Sequence, residues 1–421
     1  MSYLIAEKDR KILREKARIQ LDYANRPENS KRRHDWYLHN DLKGEKPMVQ
    51  LELGSFADEI IPERMMCEGE FARSVEYAIL SNYLNQALFD DDRVTPDYYP
   101  MTYDTHFCLF DIPVQVEHTK AIDGKQSVGH HFVSQICDLQ ADYDKLKPSV
   151  FSVDLESTRA KQAAIEDAIG DILPVKLQMN ALYSVPTQMI VHIMSMEDMM
   201  LNMYDYPDLF KEMMDRVADD TLAFFDLLEQ KNLILPTTGH CNLGNGSWCY
   251  ITLLPDETVR QTRPLTTNDV WGFLDSQETV GISPQMFEEF CFPCYKKIAD
   301  RYGFLSYGCC EPVDPIWDNC LSKLKNLRKL SISPWCNEEM MGERLKGTKV
   351  IYYRKPSPNF LGLDRYLDED ALRKHIRKSL LAARGCHMEF AQRDVITIHH
   401  DVDKARRYVQ IIREEIETCW R

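Results

Sequence analysis

The chain has 421 residues, with 51 Lys+Arg against 66 Asp+Glu, a formal net charge of -15, 44% hydrophobic residues and 13 cysteines. That apolar fraction excludes a disordered or collagen-like chain, and the acidity excludes nucleic acid as the main partner, because phosphate binding shows as a clustered basic footprint. No apolar run approaches the roughly 20 residues of a membrane span, and the amino terminus is charged from Glu7 onward with no signal-peptide core, so the reading is a cytoplasmic protein with reduced thiols and no membrane partner.

Residues 4–25 carry apolar positions at Leu4, Ile5, Ile12, Leu13, Ile19 and Leu21, the pattern of an amphipathic surface helix ending near Pro27. The basic cluster Lys31-Arg32-Arg33-His34 then reads as a solvated connector, making residues 1–46 an N-terminal helical extension. From Pro47 onward short β-like runs alternate with longer helical ones. The strands expected are Met48–Leu53, Phe107–Val116, Val175–Ala181, Val270–Asp275, Phe304–Gly308, Leu330–Ser333, Val350–Tyr353 and Phe390–Ile398. The helices expected are Gly69–Phe89, Ser195–Gln230 (as two), Ser283–Tyr302, Pro315–Leu324, Asn337–Leu345, Asp368–Arg384 and Val402–Trp420. Ser283-Pro284 and Ser195 with Asp198 supply helix starts. Eight strands alternating with helices imply a parallel sheet and a (β/α)8 TIM barrel over 47–421, with insertions or long βα loops within 54–170. The turn Leu53-Gly54-Ser55-Phe56-Ala57 is no dinucleotide fingerprint, and the chain has no phosphate-binding GxxxxGK[ST] loop or GxSxG elbow.

Barrel chemistry belongs at the carboxyl ends of the strands. There stands Gly308-Cys309-Cys310-Glu311, whose thiols and carboxylate suit a borderline metal such as zinc. Side chains of neighbouring strand residues point to opposite faces, so one cysteine is expected to bind and the other to pack; two buried, gap-filling cysteines are the competing reading. Other strand-end groups are Asp275 with Glu278, Trp335 with Cys336, Arg354 with Lys355, Arg393 with Asp394, and His399. Arg354 and Lys355 suit an anionic substrate group. His240, in a Gly/Asn-rich loop, reads as a metal or substrate donor or, more blandly, as an exposed turn histidine. Cys291 and Cys294, spaced as CxxC, read as core.

The stretch Gly281–Ala299 resembles the SPE-x-F-EEF-x-x-P-Y helix of the uroporphyrinogen decarboxylase superfamily. Phe304–Glu311 falls where that family has its HxCG turn, and Tyr204–Phe210 resembles its DP-x-x-x helix start. The likeness spans roughly residues 170 to 415, and the run GCCEP, SPW, RKPSP and EF-x-x-RD resembles a bacterial subgroup of the superfamily. It implies a (β/α)8 barrel and a homodimer. The decarboxylase branch is metal-free and uses an arginine motif resembling RQAGR, which this chain lacks. The other branch comprises corrinoid-dependent methyltransferases, in which zinc is held by HxC and a distant cysteine while a separate cobalamin protein exchanges the methyl group. Position by position, Tyr307 stands for the histidine, Cys309 for its cysteine, Cys310 for the glycine, and Arg393-Asp394 for the distant cysteine.

The leading expectation is therefore a methyltransferase acting on a small methylated substrate in a corrinoid-protein-dependent demethylation system. In it Cys309, Cys310, Glu311, His240 and Cys336 are the candidate zinc ligands and Asp275, Glu278 and Asp394 the candidate acid/base groups. Tyr307, Trp335, Arg354, Lys355, Arg393 and His399 are the candidates for substrate contact. The alternatives are a metal-free decarboxylase or lyase of a small carboxylated substrate, with Arg354 and Lys355 on the carboxylate, and a non-catalytic ligand-binding barrel.

Overall fold

The computed structural model describes residues 3–120 and 127–420. Its centre is a seven-stranded, all-parallel sheet. The strands are β1 (Met48–Leu51), β2 (Leu182–Tyr183), β3 (Trp271–Leu274), β4 (Phe304–Tyr307), β5 (Leu327–Ile332), β6 (Ile351–Arg354) and β7 (His387–Gln392). In space they run β1-β7-β6-β5-β4-β3-β2. Every neighbour in the sheet is thus a neighbour in sequence, except that β1 returns beside β7. That is the cyclic order of a TIM-like sheet opened at one seam. Strands β1, β3, β5 and β6 are buried at every residue, as expected of a parallel sheet covered on both sides.

Among the described residues the TIM-like sheet has seven strands and is not closed into a barrel. Among the described residues β1 and β2 are not paired with each other. Two of the expected strands lie outside the sheet. Asp104–Cys108 pairs antiparallel with Val150–Asp154, and Val175–Leu177 pairs with Tyr99–Met101. An irregular segment, residues 242–248, fills the concave face instead. The Trp248 indole donates to Gln50 of β1 (2.8 Å), Lys329 of β5 donates to Ser247 (2.7 Å), and the Tyr353 hydroxyl of β6 donates to the Asn245 carbonyl (2.5 Å). Gly246 has φ +89°, and a Cβ there would stand 3.2 Å from both Arg393 and Tyr353, so only glycine lets this plug sit so close to the strands.

The longer helices are α1 (Glu7–Ala24), α2 (Pro27–Asn40), α3 (Glu70–Leu84), α4 (Leu155–Ile169), α5 (Met196–Asp205), α6 (Pro207–Gln230), α7 (Phe292–Ala299), α8 (Glu338–Leu345), α9 (Glu369–Ala382) and α10 (Val402–Cys419). Ser195, Asn337, Asp368 and Asp401 cap α5, α8, α9 and α10 through side-chain acceptors. Ser283 likewise caps the turn that leads into α7. A π-turn at Phe287–Cys291 precedes α7, where Pro293 has no amide to offer the preceding turn. The helix expected over Pro315–Leu324 is only two short 3-10 turns.

The connector read after Pro27 is in fact α2, with Pro27 at its first position. This helix packs into the amino-terminal end of the sheet. Trp36 is fully buried, and Asn40 donates to the Trp248 and Tyr250 carbonyls. His39 bonds Glu389 at 2.8 Å, and Lys329 bonds the same carboxylate oxygen at 2.8 Å. Although burial opposes charge on Glu389, Lys329 and His39 hold its pKa down to about 2.

Candidate active site

With its amino-terminal end occupied by α2, the sheet leaves its carboxyl-terminal edge for chemistry. There β4 stops at Tyr307, because Gly308 takes φ +95° and a Cβ at that position would stand 3.0 Å from the Ser331 Cβ. The backbone leaves the extended conformation at this glycine, so the alternation of side chains ends with it. Both sulfurs consequently meet on one side, with Cys309 Sγ 3.6 Å from Cys310 Sγ. The expectation that one cysteine would face away is corrected on this ground.

A ring of partners fixes the turn. Glu311 is buried and accepts from the Ser276 amide at Oε1 (3.0 Å) and from the Cys309 amide at Oε2 (2.9 Å), tying the β3 turn to the β4 turn. Burial pushes its pKa up. Lys355 Nζ and Ser331 Oγ both donate to the Cys309 carbonyl, at 2.9 and 2.8 Å. Arg393 spans two acceptors: Nε donates to Glu52 (2.8 Å) and Nη1 to Cys309 Sγ (3.0 Å). Cys310 Sγ donates to Asp394 Oδ2 at 3.0 Å.

These contacts favour the thiolate form of Cys309. The Cys310 thiol beside it, then Lys355 and Arg393, lower its pKa against the cost of burial. Every other thiol whose acidity is displaced moves the opposite way.

Asp275, at the end of β3, has the reverse character. It is 2% exposed, and its Oδ1 has no hydrogen-bond partner. Burial, then the nearby Glu311, Cys309 and Glu278, drives its pKa well above the usual carboxylate range, so it holds a proton at neutral pH. Glu278 accepts from Thr187 Oγ1 (2.8 Å), and burial raises its pKa too. Above these groups lies a cavity of about 540 Å³ lined by Met196, Gln277, Glu278, Val280, Cys310, Glu311, Pro312 and Trp335. Trp335 is 75% exposed and offers a free aromatic face at the rim.

The sheet edge thus brings together Asp275, Glu278, Cys309, Cys310, Glu311, Trp335, Lys355, Arg393 and Asp394, and sends the five other candidates elsewhere. Arg354 lies between Tyr353 and Lys355 and so points outward. It is fully buried among Glu338, Ser379 and the carbonyls of Ile332 and Ser333, as an internal ion pair rather than a substrate contact. Tyr307 is buried with its hydroxyl 2.6 Å from Ser276 Oγ and does not line the cavity. His240 is neither exposed nor at this edge. It stacks on Trp248 and bonds the Tyr250 hydroxyl (3.0 Å), and burial keeps it neutral. His399 is exposed in a left-handed turn and does not line the cavity.

Cys336 packs beneath the β4 turn. Its sulfur accepts from the Val313 amide (3.4 Å), and burial raises its pKa. Of the five expected zinc ligands, Cys309, Cys310 and Glu311 meet at the β4 turn, while His240 stands apart and Cys336 packs beneath, and among the described residues no group of three or more His, Cys, Asp or Glu is arranged to hold a metal ion. Both Glu311 oxygens already serve backbone amides, and the Arg393 guanidinium occupies the position of counter-charge to Cys309 that a dication would take. The side chains present do not fit the zinc site that the resemblance implies.

Three groups escaped the sequence reading. Glu52 directly follows β1, and its place at a strand end was a usable signal. Ser276, beside Asp275, carried the same signal, whereas Asn245 had none: it reaches the Gly308 carbonyl (2.9 Å) from the plug, a contact across 63 positions of chain.

No family model and no curated protein matches this chain. Among solved structures it is similar in fold to a methyltransferase from Methanosarcina mazei, at 12% sequence identity and a TM-score of 0.50, covering 91% of this chain and 98% of the other. At that identity the likeness is one of fold. It identifies an α/β protein built on a parallel, TIM-like sheet.

Proposed function

We propose that the protein is a methyltransferase that removes a methyl group from a small methylated compound and passes it to a corrinoid carried by a separate protein. The fold likeness and the motif resemblance to the corrinoid-dependent branch of the uroporphyrinogen decarboxylase superfamily support the reading. The observation that carries it is geometric: a buried Asp275 whose Oδ1 has no hydrogen-bond partner, and a Cys309 sulfur held by Arg393, stand next to the cavity-lining Glu278, Cys310 and Glu311.

A methyl group leaves oxygen, nitrogen or sulfur with its bonding electrons remaining on the heteroatom, so a proton delivered there lowers the barrier. Asp275 holds that proton in a site closed to bulk water. The Cys309 charge beside it disfavours ionisation until negative charge develops on the leaving atom. A corrinoid docked at this edge would supply the nucleophile for the methyl group. Trp335 and Met196 give the substrate an apolar wall. The cavity lining contains no lysine or arginine, and the nearby cations Lys355 and Arg393 are committed to Cys309 and Glu52. An uncharged substrate with an apolar body fits this lining. A carboxylate does not, which weighs against the decarboxylase reading.

Mixing the protein with a cobalamin protein and candidate methyl donors, and following methyl-cobalamin by its absorption, tests the reading. Asp275→Asn is expected to lower the rate by roughly 10²–10⁴-fold. Release of CO₂ without methyl transfer, or binding of ligand without turnover, overturns it.

A further inference from the structure

The thirteen cysteines are all free, and those outside the β4 turn have a plain reading as packing or surface residues. The Cys309–Cys310 pair is different in its geometry. The two sulfurs lie 3.6 Å apart, Cys310 on the lining of the cavity and Cys309 buried beside it, with a guanidinium on Cys309 and a carboxylate on Cys310. We infer that Cys309 and Cys310 form a peroxide-oxidisable pair that closes to a reversible disulfide between adjacent residues and so removes the Cys309 thiolate from the site.

Each partner has its place. Cys309 Sγ, held 3.0 Å from Arg393 Nη1, is the attacking sulfur, since a thiolate and not a thiol reacts with peroxide. It forms an S–O bond as the O–O bond of hydrogen peroxide breaks and hydroxide leaves, giving a sulfenic acid. The Cys310 thiol, which lines the cavity, then passes its proton to Asp394 Oδ2 (3.0 Å away). Its sulfur attacks Cys309 Sγ, the S–O bond breaks, and the departing hydroxide leaves as water with the proton from Asp394. One thiolate, one thiol and one peroxide thus yield one disulfide, one water and one hydroxide. Peroxide is the two-electron oxidant, and both sulfurs are oxidised. The residue that makes the step feasible is Gly308: without its left-handed turn the two side chains would diverge as in a strand.

The product is easily undone. Cα atoms of adjacent residues stand about 3.8 Å apart, below the roughly 4.4–6.8 Å that disulfides favour, so the closed ring is strained and readily reduced. Cys291, at the end of the π-turn, and Cys294, in α7, form no comparable pair, being buried with thiols that burial keeps protonated.

The test uses the full chain exposed to hydrogen peroxide with and without dimedone, a trap for sulfenic acid, followed by peptide mass spectrometry. The wild-type peptide spanning 309–310 is expected to lose about 2 Da, to take up little dimedone, and to return to its starting mass with dithiothreitol. Cys310→Ser cannot close the ring, so Cys309 is expected to carry the dimedone adduct. Cys309→Ser is expected to leave Cys310 unreacted. A dimedone adduct on Cys310 in the wild type, an unmodified Cys309 in Cys310→Ser, or a mass loss mapping to another cysteine pair overturns the inference. Circular dichroism of each variant separates these outcomes from misfolding, and because the readout is mass, the result does not depend on which reaction the site catalyses.

Discussion

Replacing Arg393 with glutamine tests the electrostatics of the site most directly. The guanidinium stands 3.0 Å from Cys309 Sγ and 2.8 Å from Glu52 Oε2, in surroundings where the sulfur is largely shielded from water. A hydrogen bond to a charged group contributes about 1.5–3 kcal/mol, and a tenfold change in an acid dissociation constant corresponds to about 1.36 kcal/mol. Loss of this contact is thus expected to raise the Cys309 midpoint by about 1–2 on the pH scale, with Lys355 and the Cys310 thiol still in place. The sign follows from the depressed pKa of Cys309. The thiolate is the alkylated form, so at a pH below the midpoint the variant reacts more slowly, by about 10- to 100-fold. The assay is the rate of iodoacetamide addition at Cys309 against pH, resolved by peptide mass so that exposed Cys137 does not contribute. Glu52→Gln is the control. It keeps the cation on the sulfur and removes the competing carboxylate, so the midpoint is expected not to rise. An unchanged midpoint in a folded Arg393→Gln protein would refute the assignment of Arg393 as the counter-charge.

Four further outcomes follow from the same geometry. Asp275 binds a proton in the folded protein over a pH range where the unfolded chain has lost it, so its burial costs stability increasingly as pH rises above about 4; Asp275→Asn is expected to be more stable relative to wild type at pH 8 than at pH 5, and an equal difference by thermal melts argues against a raised pKa. Lys329→Met leaves Glu389 buried without its cation and is expected to cost about 3–5 kcal/mol in urea unfolding, with much of the loss recovered in Lys329→Met/Glu389→Met. Because the pKa of Glu389 is depressed to about 2, its contribution is present above the unfolded value of about 4.3 and is lost as pH falls through that interval. Gly308→Ala forces a side chain into a left-handed residue against Ser331 and is expected to cost about 1–2 kcal/mol while slowing alkylation of Cys309. Metal analysis of the native protein is expected to give well under one zinc per chain, whereas stoichiometric zinc lost in Cys309→Ala and Cys310→Ala would show that the thiols reorganise around a metal.

What could be read from the residues was local. Alternation of apolar runs with amphipathic stretches placed six strands of the sheet, β1 and β3 to β7, within a few residues of their observed positions except at the carboxyl end of β7, and most of the helices. Ser195 and Ser283 cap where a hydroxyl before a helical run must. The candidates that converged were those following a strand directly, such as Asp275, Lys355 and Arg393, because a parallel sheet with helical crossovers delivers every strand's carboxyl end to one edge. The reading failed where a side chain's direction or a distant contact decided the outcome. Arg354 and Lys355 are adjacent and alike in charge, yet strand alternation sends one outward to Glu338 and the other inward to the Cys309 carbonyl. His240 and the segment after it looked like a surface loop because its polar residues and glycines find their partners only on strands far along the chain.

The composition itself kept part of its meaning and lost part. Among the described residues no helix is long and apolar enough to cross a membrane, as the hydropathy required, and the cysteines are unpaired thiols. The sequence determined a covered parallel sheet and a set of charged residues at its carboxyl edge, since these depend on short-range periodicity. Only the tertiary structure decided that α2 and an irregular plug replace an eighth strand, that the two sulfurs of the β4 turn meet, and that Arg393 neutralises one of them. Those outcomes depend on which surfaces meet after the chain has closed on itself, and no local pattern encodes a contact between residues 309 and 393.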